Sequence, residues 1–164
     1  MTSARKIEPP FRIAVVGGAQ ASKVECELAL DLGRQLAGLE ALVVCGGGGG
    51  VMEAVAQGAT EAGGLVIGIL PGSDSKSANP WIGIPLATGM GEARNALVVQ
   101  GAEAVISVGG EWGTLSEIAL ASKIGLSVGI LGTPPAEGLG LRMLEDPIEA
   151  AGWALERAQV FRGS

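Results

Sequence analysis

The stretch Gly109-Gly110-Glu111-Trp112-Gly113-Thr114-Leu115-Ser116-Glu117 decides how this chain folds and where it binds a ligand. It follows a largely apolar, β-branched run at 104–108 and opens a helical pattern. A glycine turn between a strand and a helix exposes backbone N–H groups at the positive end of the helix, where an anion can bind. Glu117 follows one turn into that helix. The stretch therefore predicts a phosphate site with a carboxylate beside it.

The same stretch has a second, purely structural interpretation. Thr114 and Glu117 have the spacing of a capping box, in which the threonine caps the helix and the glutamate reaches back to the backbone N–H of the cap. A carboxylate folded onto the cap is less free to meet a substrate. The spacing alone does not separate the two interpretations, and both stay open at this point.

Composition bounds the possible functions. A chain of 164 residues fits one domain with a substantial core. Its net charge is −6 and its lysines and arginines are scattered, which argues against a nucleic-acid groove or an anionic membrane surface. The sequence contains no histidine and no tyrosine. A histidine base, a histidine metal ligand and a Ser-His-Asp triad are therefore excluded, and we expect no bound metal.

Cysteine usage and the N-terminus indicate a compartment. Cys26 and Cys45 are the two cysteines and lack a metal-ligand spacing, which favours a reducing compartment. The segment 1–10 lacks the apolar core of a signal peptide and is predicted to be a flexible tail. No apolar run is long enough to span a membrane without glycine or charged interruptions. We expect a cytoplasmic protein.

Short β-branched runs alternate with longer amphipathic or apolar segments, which predicts an α/β fold with a parallel sheet. The predicted strands are 13–16, 42–45, 65–70, 84–87, 104–108 and 127–131. The predicted helices are 23–37, 51–62, 92–102, 115–124 and 147–159. Ser22 and Glu25 have capping-box spacing, and Asp146 should cap the last helix with Pro147 at its first position. We expect residues 11–164 to form a single Rossmann-like, doubly wound domain, mainly parallel, with helices on both faces.

Three glycine turns, Gly17-Gly18, 46–50 and 109–113, each follow a strand and precede a helix. They should meet at the carboxyl edge of the sheet, where open α/β folds bind ligands. One such turn is weak support, but three favour a nucleotide or another phosphorylated ligand. Both the dinucleotide fingerprint and a Walker A motif are missing. A nucleoside monophosphate or sugar phosphate is therefore expected rather than NAD or ATP.

Two further side chains attract attention near these turns. Arg94 opens a helix that then becomes apolar, so it is either a solvated surface residue or a clamp for a phosphate or carboxylate. The apolar helix that follows should be buried on more than one side, against the sheet and against a second subunit. Trp112, inside the glycine loop, either stacks on a base or covers the loop.

Together these motifs resemble the Lonely Guy (LOG) family of Rossmann-like proteins, long mislabelled as lysine decarboxylases. The family hallmark is P-G-G-x-G-T-x-x-E, and this chain has V-G-G-E-W-G-T-L-S-E at 108–117. The family's arginine, usually followed by lysine, corresponds to Arg94-Asn95. The run 46–52, five glycines followed by Val-Met, resembles the family's G-G-x-x-G-x-M turn.

The resemblance implies hydrolysis of the N-glycosidic bond of AMP or a cytokinin riboside 5′-monophosphate, giving base and ribose 5-phosphate. It implies catalytic roles for Arg94 and Glu117, no cofactor, and a homo-oligomer, a dimer or a tetramer of dimers, with the site near its interface. A carboxylate suits this chemistry, since it can stabilise an oxocarbenium-like ribosyl centre or orient water. The expected phosphate- or nucleotide-binding residues are Gly17, Gly18, Gly46, Gly47, Met90, Gly109, Gly110, Gly113 and Thr114.

The chain departs from the family pattern in its central loop. Glu111 and Trp112 stand where the hallmark has one residue, no proline opens the loop, and Asn95 replaces the usual lysine. In these respects the chain is similar to a shorter LOG-like subgroup that also resembles molybdenum-cofactor carrier proteins. In such a carrier, the same cradle would hold the terminal phosphate of the cofactor without hydrolysis. No lysine has the setting of a pyridoxal-phosphate Schiff base, so the decarboxylase label is not supported.

Overall fold

Seven parallel strands form one sheet in the order β4-β3-β2-β1-β5-β6-β7 in the computed structural model, which describes residues 7–164. Every pair of neighbouring strands in it is parallel. The strands are β1 (Arg12–Gly17), β2 (Leu42–Cys45), β3 (Val66–Leu70), β4 (Ile84–Ala87), β5 (Ala104–Val108), β6 (Val128–Leu131) and β7 (Arg142–Leu144). The predicted α/β, Rossmann-like class is confirmed, and the sheet is wholly rather than mainly parallel.

Five α-helices connect or follow the strands. They are α1 (Lys23–Gly38), α2 (Val51–Glu61), α3 (Asn95–Gln100), α4 (Trp112–Lys123) and α5 (Pro147–Gly163). Ser22 and Glu25 form the predicted capping box at the start of α1. Asp146 caps α5 with Pro147 in its first turn, also as predicted. These caps satisfy backbone N–H groups that have no partner within the helix.

The structure differs from the sequence-based expectation at three elements. Strand β7 was not predicted, because three residues at the sheet edge carry too short a pattern to recognise. The predicted helix at 92–102 begins as a 3-10 turn, Gly91–Arg94, before α3. Helix α4 begins at Trp112, three residues earlier than expected, because the tight turn is confined to Gly109 and Gly110, both at positive φ.

Helices cover both faces of the sheet, as predicted. One buried cluster joins the sheet to α1, α2 and α5, and a second joins it to α3 and α4. The central strands are buried on both faces, as expected when helices cover both sides. Strand β4 is the exception, because all four of its residues are exposed at the sheet edge.

The topology places the three glycine turns together. Strand β1 lies between β2 and β5. From β1 the chain first builds one half of the sheet, β2 to β4, and then crosses to the other side of β1 to build β5 to β7. Gly17 pairs with Val108 in the register of these two strands, so the turns after β1 and β5 start at the same level. The crevice at such a switch point, outside the carboxyl ends of the strands, is where open α/β sheets bind ligands.

The opposite end of the sheet is closed by contacts of the C-terminal helix. Arg162 pairs with the buried Glu103 and donates hydrogen bonds to the carbonyls of Pro9 and Pro10, at 2.8 and 2.6 Å. The expected tail at 1–10 lies partly outside the described residues, and its flexibility stays a prediction. The helices between residues 7 and 164 include none of the length and apolar character that crossing a membrane requires.

Candidate functional site

A cleft of about 220 Å³ opens at the switch point between β1 and β5. Its walls come from the turn after β1, the turn after β2, the 3-10 turn before α3, and the start of α4. Sequence-predicted residues that line it are Gly17, Gly18, Gly46, Arg94, Gly113, Thr114 and Glu117. Segments far apart in the sequence therefore meet at the predicted edge of the sheet.

Four other predicted residues do not line this cleft. Gly47 faces the side chain of Leu70, and Met90 is about half exposed on the loop before the 3-10 turn. Gly109 faces Glu25 of α1, and Gly110 lines a neighbouring cavity. Their backbone groups can still shape the turns, but the binding role assigned to each stays a prediction.

Arg94 projects across the turn that follows β2. A Cβ placed on Gly46 would lie 2.7 Å from the Met52 Sδ and would overlap the Arg94 guanidinium, so only glycine leaves room for that side chain. The Arg94 Nε is buried and has no hydrogen-bond partner. A buried donor without a partner is costly and rare. The guanidinium is thus held in the cleft wall with donor capacity that an anion can use.

Glu117 is the buried carboxyl of the cleft, with only 6% of its surface exposed. Burial raises the pKa of Glu117 to about 7, because the charged form loses its hydration. The positive charge of Arg94 opposes this rise, whereas the neighbouring Glu92 adds to it. Close to neutral pH the carboxyl is therefore present in both protonation states, which suits a group that exchanges protons.

Arg94 and Glu117 line the same cleft and form no ion pair with each other. Neither residue takes part in the ion pairs formed among residues 7–164. Their opposite charges nevertheless influence each other, since Arg94 lowers the pKa that burial raises at Glu117. The arrangement leaves space for a ligand that carries a negative group toward the arginine and a reacting bond toward the carboxyl.

The capping-box interpretation of Thr114 and Glu117 is wrong. Glu111 occupies the N-cap position of α4, and its side chain makes no capping hydrogen bond. Thr114 lies inside the first turn, with its side chain directly above Gly110, so that a Cβ at Gly110 would overlap the threonine. Glu117 is consequently free of the cap and available to the cleft. Spacing alone could not reveal this, because it does not fix where the helix starts.

The cleft also contains charged residues that the sequence analysis did not select. Glu92 and Glu111 line it together with Glu117, so that among residues 7–164 three carboxyl groups and one cation, Arg94, line the cleft. Asn95, at the position of the family's usual lysine, is buried and donates a hydrogen bond of 3.4 Å to the Ser116 hydroxyl. Two of the departures from the family pattern, Glu111 and Asn95, were visible in the sequence, but their placement in the cleft was not.

A second cavity, of about 500 Å³, lies on the other side of the loop before α4. The side chains of Trp112, Leu115, Pro135 and Ala136 give it a mainly apolar wall, and Glu111 lines both this cavity and the cleft. Trp112 is 84% exposed, which is unusual for so large an apolar side chain. It therefore does not cover the loop by packing onto it.

Metal ligands and cysteines are the remaining groups that could carry chemistry. Within the part of the chain that the structure describes, no cluster of three His, Cys, Asp or Glu residues is placed to hold a metal ion. Cys45 is buried, and burial raises the pKa of its thiol to about 11, so it remains a protonated core residue near neutral pH. Cys26 is a free, partly buried cysteine. The chemistry of the cleft therefore rests on Arg94, the three carboxyls and backbone N–H groups.

Known proteins similar to this chain include a phosphoribohydrolase and proteins that bind or carry molybdenum cofactor. The chain is 33% identical over 112 residues to the cytokinin riboside 5′-monophosphate phosphoribohydrolase LOG5 of Arabidopsis thaliana, covering 65% of this chain and 49% of the relative, and so spans about half its length. The structure of the molybdenum cofactor binding protein of Rippkaea orientalis matches with a TM-score of 0.82 and 30% identity, over 94% of this chain and 99% of that one.

A second solved structure, also of a molybdenum-cofactor protein, is similar to this chain to the same degree. The molybdenum cofactor carrier protein of Chlamydomonas reinhardtii matches with a TM-score of 0.82 and 29% identity, over 93% of this chain and 99% of that chain. The family model described as the SLOG cluster4 family matches residues 10–151, which is most of the sequence and includes every element of the cleft. The chain belongs to the SLOG cluster4 family.

Proposed function

We propose that this protein hydrolyses the N-glycosidic bond of a nucleoside 5′-monophosphate, releasing the free base and ribose 5-phosphate. The observation that carries the proposal is the unpaired Arg94 facing the same cleft as the buried Glu117, beside a glycine turn at a helix N-terminus. Such a turn binds phosphate. A ligand whose phosphate binds there can also reach the carboxyl of Glu117 in the same cleft. The similarity to a phosphoribohydrolase supports this assignment.

The proposed mechanism uses no cofactor. The phosphate binds at the start of α4, near Gly113 and Thr114, with Arg94 as its cation. The ionised Glu117 stabilises the positive charge that develops at the ribose C1′ and orients water toward it. As the C1′–N bond breaks, its electron pair stays on the base, which takes up a proton. The attacking water loses a proton to the carboxylate and becomes the C1′ hydroxyl.

A second candidate function is a carrier that binds a phosphorylated ligand such as molybdenum cofactor without cleaving it. One observation favours it. The chain resembles two molybdenum-cofactor proteins over nearly their whole length, and this similarity covers more of the chain than the one to the hydrolase.

The two candidates differ in one measurable outcome. Purified protein is incubated with AMP and with isopentenyl-AMP, and free base is measured by chromatography for the wild type and for Glu117→Gln. If the protein is a hydrolase, the wild type should release free base. The rate of release should fall on the order of 100-fold or more in Glu117→Gln, because a charge at the reacting centre is lost. If the protein cleaves neither nucleotide but retains a phosphorylated ligand, it is a carrier instead. Turnover unchanged by Glu117→Gln would remove Glu117 as the catalytic group.

We further propose that the protein is a cytoplasmic homo-oligomer, a dimer or a tetramer of dimers. Support comes from apolar side chains left exposed on the outer surface of α4 and at its end, Leu120 and Ile124. Helices α3 and α4 pack against each other and carry this surface at one side of the cleft. The molar mass in solution, measured by light scattering, tests the oligomeric state. A monomer at micromolar concentration would contradict it.

A further inference from the structure

We infer that Asn95 is a specificity-determining residue, whose side-chain oxygen accepts a hydrogen bond from a ring hydroxyl of a sugar phosphate bound in the cleft. Asn95 lies in the wall of the cleft, directly after Arg94. The inference rests on the proposed function, because it assumes a ligand whose phosphate binds at the start of α4. It adds the chemistry by which the cleft distinguishes one sugar from another.

Asn95 is a buried polar residue at the first position of α3, with 7% of its surface exposed. Helices α3 and α4 pack against each other, and Val98 and Ile118 belong to the same buried cluster. This packing holds the Asn95 side chain beside the first turns of α4. A buried amide whose polar atoms lack partners is costly, so each of its two polar atoms calls for a hydrogen bond.

The orientation of the Asn95 amide follows from its neighbour Ser116. The Ser116 hydroxyl donates its one proton to the carbonyl of Gly113, at 2.6 Å. The hydroxyl oxygen can therefore only accept from Asn95, which lies at 3.4 Å, and the NH2 group of the amide is the group that faces Ser116. The Oδ1 atom of Asn95 consequently points away from Ser116.

The Asn95 Oδ1 is left as an acceptor for a ligand. Among residues 7–164 no group donates a hydrogen bond to it. In this part of the chain, the side-chain atoms that lack both a partner and contact with solvent are the Nε atoms of Arg94 and Arg157. The Asn95 Oδ1 therefore keeps access to solvent, and Asn95 lines the cleft. An amide oxygen accepts but cannot donate, so it fits a hydroxyl group and not an ionised phosphate oxygen.

The sugar ring of the proposed ligand supplies such hydroxyl groups. In the proposed complex the phosphate lies at the start of α4 and C1′ faces Glu117, so the ring lies between them. Its donors are the hydroxyls at C2′ and C3′. The carboxylates of Glu92 and Glu111 also line the cleft, but both residues are exposed, and water competes for their hydrogen bonds. A sugar that lacks the hydroxyl leaves the buried Asn95 Oδ1 without a partner, and such a site rejects it.

The test compares the dissociation constants of AMP, 2′-deoxy-AMP and 3′-deoxy-AMP, measured by calorimetry with Glu117→Gln protein so that turnover does not interfere. We expect at least one deoxynucleotide to bind about tenfold or more weakly than AMP. Asn95→Leu, added to this parent, replaces the amide with an apolar group of similar size and should reduce the ratio to about threefold or less. Asn95→Asp keeps an acceptor and should keep the ratio, although its charge weakens all three nucleotides. Gln100→Leu removes the other amide of α3, which is exposed and outside the cleft, and as the matched control should keep the ratio of the parent.

Two outcomes would overturn this inference alone. Equal affinities of the parent for the three nucleotides would show that no ring hydroxyl is recognised. An unchanged ratio in Asn95→Leu would assign the recognition to another group and leave Asn95 as a support for α4. Failure of the parent to bind AMP would instead reject the proposed phosphate site together with the inference. Each result is a ratio of affinities within one protein, so a smaller folded fraction of a variant does not imitate a loss of specificity.

Discussion

The carboxylate of Glu25 lies directly against Gly109, in the space that a side chain at that position would occupy. Glu25 is fixed there by the capping box of α1, because its Oε2 accepts a hydrogen bond of 2.7 Å from the Ser22 backbone N–H. The capped end of α1 therefore supports the loop that starts α4. Because a side chain at this position would meet Glu25, the contact favours glycine at position 109.

The contact between Glu25 and Gly109 makes position 109 sensitive to substitution. Gly109→Ala should destabilise the protein by about 1–3 kcal/mol, because Gly109 has φ of 55° and the added methyl group meets Glu25. Urea unfolding measures the change. Glu25→Ala costs stability of its own because it removes the capping box, but in that background the additional cost of Gly109→Ala should be smaller, since the steric component is relieved. Gly152→Ala, at an open helical position, is a control and should not destabilise the protein. A Gly109→Ala protein as stable as the wild type would contradict the prediction.

The raised pKa of Glu117 makes folding stability depend on pH. The folded protein holds the Glu117 proton up to a pKa of about 7, whereas the unfolded chain releases it near the usual glutamate pKa of 4.5. Below pH 4.5 both states are protonated and the carboxyl costs nothing. As pH rises through 7, the folded state loses on the order of 3 kcal/mol relative to the unfolded state. Glu117→Gln should remove this loss.

The measurement compares the urea unfolding free energy of the wild type and Glu117→Gln at pH 5 and at pH 8. The variant should gain stability relative to the wild type as pH increases, with most of the change between pH 5 and 8. Because the two proteins differ only at residue 117, the difference between their unfolding free energies reports this carboxyl together with its charged neighbours in the cleft. A difference that stays constant across this range would mean that burial does not raise the pKa of this carboxyl.

Arg94 should determine the affinity for phosphate. Arg94→Ala removes the single cation of the cleft, and ribose 5-phosphate should bind on the order of 10- to 100-fold more weakly, as expected for a lost charged hydrogen bond. Calorimetric titration provides the readout. Arg34→Ala is the control, because Arg34 pairs with Glu61 at 3.0 Å on the surface between α1 and α2. Equal affinities for the Arg94 and Arg34 variants would place the phosphate outside the cleft.

Glu103 should be the most sensitive structural carboxyl. It is 2% exposed, accepts a hydrogen bond of 2.8 Å from the Arg12 backbone N–H, and pairs with Arg162. Glu103→Ala leaves partly buried donors without a partner and should cost about 3–5 kcal/mol of stability. Thermal unfolding checks this, with Glu156→Ala, which breaks a surface pair with Arg157, as the mild comparison. Equal melting temperatures for the two variants would contradict the buried role of Glu103.

Much of the fold was readable from local patterns. The bounds of β2, β4 and β5 were predicted to the residue, and both β2 and β5 are β-branched runs that end directly before a glycine. The caps Ser22 and Asp146 were also predictable, since capping depends on neighbouring residues alone. The sequence placed Arg94 and Glu117 after strands that end at one edge of the sheet, and it named them as candidates.

The tertiary structure decided what these residues can do. Only packing buries Glu117 and raises its pKa, since the burial comes from segments up to a hundred positions away in the chain. The start of α4 at Trp112, which frees Glu117 from the cap, depends on the tight turn at Gly109 and Gly110 and not on residue spacing. Periodicity and capping depend on residues close together in the chain, so they can be predicted from the sequence. Desolvation and the meeting of distant loops exist only once the sheet has formed.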